Sequence, residues 1–148
     1  MKRIYKILIC ISLLFITGCN KNNEKFTLNE KYYNNGDFIK VNSNELEKLE
    51  NDNYILYTYN NYCAFSVSCE DIFKSFMNKY KIDFISIPFE EFKKTKLYNK
   101  IKYAPSVIIV KNGKVVSYLD SNSNDDYQKY QNEIEFEKWI SKYVVIDK

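Results

Sequence analysis

Residues 101–116 read IKYAPSVIIVKNGKVV, two apolar runs joined by Asn112-Gly113. Asn-Gly between such runs is the strongest short-range hairpin signal, because the tight turn needs positive φ at both central positions. Strands over 106–110 and 114–119 are therefore expected to pair antiparallel, with Ala104-Pro105 directly before the first of them.

Working upstream, Ile82, Phe84, Ile85 and Ile87 mark a strand that Pro88 closes, and 89–99 reads as a weaker helix. Ile72, Phe73, Phe76, Met77 and Tyr80 recur at helical spacing. Tyr54-Ile55-Leu56-Tyr57-Thr58-Tyr59 is β-branched and aromatic throughout, as suits a central strand buried on both faces. Asn42 with Glu45 forms a capping-box pattern ahead of Leu46 and Leu49, and 38–41 reads as a short strand. Downstream, 120–126 is a polar loop, and Ile134, Phe136, Trp139, Ile140, Tyr143 and Val144 form the stripe of a final helix. The order is β-α-β-α-β-α-β-β-α. Helical crossovers make the early strands parallel and the hairpin makes the last two antiparallel, so an α/β fold with a mixed sheet flanked by helices is expected.

The chain of 148 residues opens MKRIYKILICISLLFITGCN. A basic start followed by a short apolar run, residues 7–16, is a secretory signal pattern; a spanning helix needs roughly 20 apolar residues. Ile16-Thr17-Gly18-Cys19 resembles the lipobox of bacterial lipoproteins. That resemblance implies a signal peptide over 1–18, lipidation of Cys19, and a protein held on the extracytoplasmic side of the cell membrane by two acyl chains. Residues 19–37, rich in Asn, Lys, Glu and Tyr, are expected to be a flexible tether, with the folded domain over 38–148.

Removal of Lys2, Arg3 and Lys6 leaves 19 of the 22 basic residues against 19 acidic ones. A neutral chain has no basic footprint for nucleic acid. Histidine is absent, which excludes Ser-His-Asp and Cys-His catalysis and any His-ligated zinc. The 3 glycines include no phosphate-cradling cluster. No metal or other cofactor is expected. Richness in Asn, Lys, Ile and Tyr is read as compositional bias. Of the 4 cysteines, Cys10 lies in the signal and Cys19 is the lipid site, leaving Cys63 and Cys69. An even pair suits an exported, oxidising compartment.

The strand order, with Cys63 just after YILYTYNNY and Pro105 just before the hairpin, resembles thioredoxin over about 38–144. The resemblance implies that Cys63 is a nucleophilic thiol, that Pro105 follows a cis peptide bond, and that Tyr62 and Ala104 contact an extended substrate with it. Tyr62 stands where the family usually has Trp, and Ala104 where Thr, Val or Ile is usual. Expected partners are thiols or disulfides of exported proteins or peptides, with an unidentified redox partner. The chain departs from the family at Ser66, which takes the second cysteine's place in C-x-x-C, and at Tyr57, where the family has a buried acid. The other mature thiol is Cys69. If the helix starts right after Cys63, the two Cα atoms lie about 9 Å apart, beyond the roughly 7 Å a disulfide tolerates. A helix starting near Ser68 removes that bar, and Glu70 and Asp71 suit a first turn there. Two readings remain open. In one, Cys63 and Cys69 are the nucleophilic and resolving thiols of an oxidoreductase. In the other, the chain is a thioredoxin-like binding scaffold or accessory protein whose cysteines are a staple or inert.

Overall fold

The computed structural model describes residues 24–60 and 68–147. Five strands form one mixed sheet: β1 (Phe38–Lys40), β2 (Tyr54–Tyr59), β3 (Phe84–Pro88), β4 (Ser106–Lys111) and β5 (Lys114–Tyr118), in the spatial order β1-β3-β2-β4-β5. β2 pairs parallel with β3 and antiparallel with β4, so it is central, and its residues are buried from Tyr54 to Thr58. The hairpin is as the sequence predicts. Asn112 and Gly113 both have positive φ, at 48° and 66°. Gly113 is obligatory there for a second reason: a Cβ would stand 2.1 Å from the Glu50 carbonyl oxygen.

The helices are α1 (Ser43–Glu47), α2 (Cys69–Tyr80), α3 (Phe89–Phe92), α4 (Tyr127–Gln131) and α5 (Glu133–Ile140). The capping box at Asn42 forms reciprocally: Glu45 N donates to Asn42 Oδ1 at 3.0 Å, and Asn42 N to Glu45 Oε2 at 2.8 Å. α2 and α5 pack on one sheet face, through Phe73–Phe136 at 4.9 Å, Phe76–Phe136 at 5.3 Å and Phe76–Phe84 at 6.0 Å between ring centres. Strand alternation turns Tyr54 to the other face, where it shares a small cavity with Leu46 of α1 and Leu97.

Four expectations change. Residues 24–37 are part of the domain. Phe26, Leu28 and Tyr32 are core residues, and Phe26 forms a bridge to Val144 while Tyr33 forms one to Ile82. Their apolar side chains are spaced widely among polar ones, which hides them from a compositional reading. The helix expected over 89–99 is two pieces, α3 and a 3-10 turn over Lys96–Asn99, because Thr95 is extended and its hydroxyl donates to the Phe92 carbonyl at 2.8 Å. The strand expected over 82–87 begins at Phe84, Ile82 serving instead as the bridge residue. The final helix, expected from Ile134 through Val144, spans only Glu133–Ile140; a short helix, α4, precedes it, and Asn132 between them is extended and accepts from Ile134 N and Glu135 N to cap α5. Ile134 therefore sits in a first turn pointing outward, 63% exposed, rather than in the apolar stripe.

The turn at residues 35–37 is fixed from beneath by Asp83, only 3% exposed. Its Oδ1 accepts from the backbone N–H of Asn35 (3.2 Å), Gly36 (2.8 Å) and Asp37 (2.8 Å). Gly36 has φ +85°, and a Cβ there would come within 2.4 Å of the Met77 carbonyl oxygen. Gly36→Ala is expected to lower unfolding free energy by at least about 2 kcal/mol. Asp83→Ala, which strips the acceptor from three buried or half-buried donors, is expected to cost about 2–3 kcal/mol. Both act on one turn, so in urea titrations the double variant should lose less than the two separate losses combined. Full additivity would show that the carboxylate does not hold the glycine turn.

Candidate functional site

Two strand ends build the site. β2 and β4 run antiparallel with Thr58 opposite Ser106, so the C-terminal end of β2 lies beside the chain entering β4. That entry carries the cis peptide bond between Ala104 and Pro105, as the thioredoxin resemblance implies. Asn60, just past β2, donates from Nδ2 to the Ala104 carbonyl at 3.2 Å. The strand that leads toward Cys63 is thereby joined to the proline segment. Cys63 and Tyr62 lie outside the described residues, as do Ser66, Cys19 and the signal peptide.

Cys69 is the first residue of α2. Ser68 before it is extended, with φ −61° and ψ 112°, so the helix has the later of the two starts considered from the sequence. Ser68 takes the N-cap position without a side-chain capping bond. Glu70 and Asp71 occupy the first turn, where negative charge complements the positive end of the helix dipole. Cys69 itself is 1% exposed and belongs to the core, on the stripe that Ile72, Phe73, Phe76 and Met77 continue.

Tyr57, at the position the resemblance gives to a buried acid, packs against other rings. Its ring meets Phe73 at 5.2 Å, Phe38 at 5.4 Å and Tyr59 at 5.8 Å. Beside it a cavity of about 190 Å³ is lined by Phe38, Lys40, Tyr57, Tyr59, Glu70 and Ser86. The Ser86 hydroxyl is buried there with no hydrogen-bond partner. The one carboxylate at this cavity is Glu70, and it is engaged by Lys74 at 2.9 Å.

On the far side, the segment before β4 is tied down residue by residue. Ser106 Oγ donates to the Tyr103 carbonyl at 2.8 Å. Tyr130, fully buried on α4, places its hydroxyl 2.9 Å from both the Pro105 and the Leu119 carbonyl oxygens. Burial pushes the Tyr130 phenol well above its usual range; the Ser106 hydroxyl is the next influence and opposes it, and the nearby charge of Cys69, Asp126 and Asp120 adds to the rise. The phenol therefore keeps its proton and acts as a donor. Sequence reasoning missed Asn60, Ser106 and Tyr130. In a chain with 14 tyrosines nothing marks one of them as a polar contact.

The chemistry this arrangement allows follows from its parts. Cys69 opens α2 within the core, and Tyr130 links that helix to the cis-proline segment, its ring against Phe73 and its hydroxyl on the Pro105 carbonyl. No family model matches the sequence, and no curated protein does. Solved structures do. A thioredoxin variant from Halobacterium salinarum superposes with a TM-score of 0.57 at 14% identity, over 78% of this chain and 97% of that one. Oxidised thioredoxin from Plasmodium falciparum gives 0.52 at 18% identity, over 74% and 98%. A thioredoxin from Nicotiana alata gives 0.51 at 18% identity, over 73% and 93%. The chain has the thioredoxin fold, with a five-stranded mixed sheet and a cis-proline before its hairpin.

Proposed function

We propose that the protein is a thiol-disulfide oxidoreductase in which Cys63 is the nucleophile and Cys69 the resolving thiol. The observation that carries the reading is the meeting of three features at one end of the sheet: the end of β2, the first turn of α2 with Cys69, and the cis Ala104-Pro105 segment. Two residues lie between Asn60 and Cys63, so their Cα atoms can be at most about 11 Å apart. Asn60 touches Ala104, which supports a Cys63 that works beside the proline segment.

In the proposed cycle the Cys63 thiolate attacks one sulfur of a substrate disulfide. The substrate S–S bond breaks, its other sulfur leaves as a thiolate and takes up a proton, and Cys63 is held in a mixed disulfide. The Cys69 sulfur, after losing its proton, attacks Cys63. The mixed disulfide breaks, the second substrate thiol departs, and a Cys63–Cys69 disulfide remains. The substrate gains two electrons and the protein loses two. An external dithiol partner restores the protein thiols, and the cycle run backwards oxidises a dithiol substrate. Tyr62, Ala104 and Pro105 would contact the substrate chain. Burial of Cys69 suits a resolving role, because it keeps this thiol away from bulk disulfides.

A scaffold reading has its own support. Tyr57 supplies no carboxylate where the family has one, and the only cysteine among the described residues is shut in the core. Trapping separates the two. Cys69→Ser is expected to accumulate mixed disulfides with exported proteins or peptides, seen as adducts that reductant removes, and Cys63→Ser to give none. In the fully reduced protein, iodoacetamide near neutral pH should modify Cys63 about a hundredfold faster than Cys69, which is reached only through opening of the core. Absence of adducts from Cys69→Ser, with similar stability losses for both substitutions, would support the scaffold.

The site of action is part of the same proposal. A lipid on Cys19 would hold the domain at the outer face of the cell membrane, where disulfides persist. Cys19→Ala should abolish incorporation of labelled fatty acid and leave the protein released or as unprocessed precursor. Unchanged labelling and retention would remove the anchor from the reading.

A further inference from the structure

The carbonyls of Tyr103, Ala104 and Pro105 are each met by a side chain of the protein itself: Ser106 Oγ, Asn60 Nδ2 and the Tyr130 hydroxyl. The first bond is local and the second lies at the surface. Tyr130 differs. It comes from α4 in another layer of the fold, it is fully buried, and its hydroxyl is shared between the Pro105 and Leu119 carbonyls. A phenol has one proton to give, so the two carbonyls, one before β4 and one after β5, share the proton of this side chain. A phenylalanine would fill the same volume without bringing a hydroxyl into the core, and a buried hydroxyl is costly unless hydrogen-bonded. The ring has a second contact. Its edge meets Phe73 at 6.1 Å, and Phe73 stands one helical turn after Cys69 on the same buried stripe.

We propose that Tyr130 is a positioning residue for the thiol site: its hydroxyl fixes the Pro105 carbonyl while its ring, seated on Phe73, fixes how far that segment stands from the first turn of α2. Tyr130 touches no reacting atom. It sets the spacing between the backbone that would receive substrate and the helix end that carries Cys69. The catalytic meaning rests on the oxidoreductase reading; the clamp itself does not.

Two variants test it. Tyr130→Phe keeps ring packing and removes the donor. Tyr130→4-aminophenylalanine restores an N–H donor at the same place. Amide hydrogen exchange is read at Ser106, Val107 and Leu119 and, as a remote reference, in β3. Turnover of a disulfide-bonded peptide is measured with dithiothreitol as reductant, at a temperature where every variant is folded. Tyr130→Phe is expected to speed exchange about tenfold at the three clamp positions with β3 unchanged, and to lower kcat/KM about tenfold. The amino variant should recover most of both. A uniform rise in exchange across the sheet, unchanged exchange at the clamp, or no recovery with the amino variant would overturn the proposal. If Tyr130→Phe does not fold, the amino variant is compared with the natural protein. Its weaker donor predicts exchange raised about threefold at the clamp alone, and an unchanged rate overturns the proposal. Trapping by Cys69→Ser is scored separately, so a protein with no thiol activity but a local exchange response would retain the clamp and lose the oxidoreductase.

Discussion

Strand β2 must hydrogen-bond along both edges while both of its faces are in the core. Nearly every other feature follows from satisfying that demand. An apolar six-residue strand, Tyr54–Tyr59, leaves no backbone group that water could serve. β3 pairs with one edge through Leu56–Tyr59, and β4 with the other through Tyr54–Thr58. The parallel neighbour requires a crossover, which α2 supplies, and the antiparallel neighbour brings Ser106 opposite Thr58. Those two consequences set the first turn of α2 and the cis-proline segment at the same end of the sheet. The candidate site is the place where the central strand runs out.

Local chemistry made much of this legible from sequence. Asn112-Gly113 has few alternatives to a tight hairpin. Asn42 and Glu45 satisfy one another within a single turn, and the spacing from Ile72 to Tyr80 admits one helix face. Where reading failed, the deciding contact was distant. Phe26, Leu28 and Tyr32 look like spacers because what buries them, around Val144, Asp52 and Ile82, lies far along the chain. Asn132, just ahead of the stripe that begins at Ile134, carried no reading of its own. Its side chain serves the amides after it, which turns Ile134 outward. Thr95 broke a helix by the same kind of side-chain bond to backbone.

The site was legible to a similar degree. The late start of α2 at Cys69 was within reach because a helix start has a local signature in Glu70 and Asp71, and the cis bond before Pro105 because the resemblance to thioredoxin implies it. The supporting polar contacts were not. Tyr130 reaches carbonyls 25 and 11 residues away and Asn60 one 44 residues away, and nothing in the neighbourhood of either residue encodes such partners. Tyr57 is instructive in the opposite sense. At the centre of the fold its ring is enclosed by Phe73, Phe38 and Tyr59, so the position that the resemblance gives to an acid is used here for packing.

The bridge between Phe26 and Val144 has a mechanical side. Phe26 N donates to the Tyr143 carbonyl and its own carbonyl accepts from Val145 N, at 2.8 and 2.9 Å, while the Tyr33 hydroxyl donates to the Val145 carbonyl at 2.7 Å. The beginning and the end of the described chain are thus stitched directly to each other. A pull on the chain ahead of Phe26 would be carried first by this stitch and by the segment after α5. The five strands would feel it only after those bonds had parted. A domain dragged by its leading end would therefore yield in stages, with a sacrificial clasp in front of the sheet.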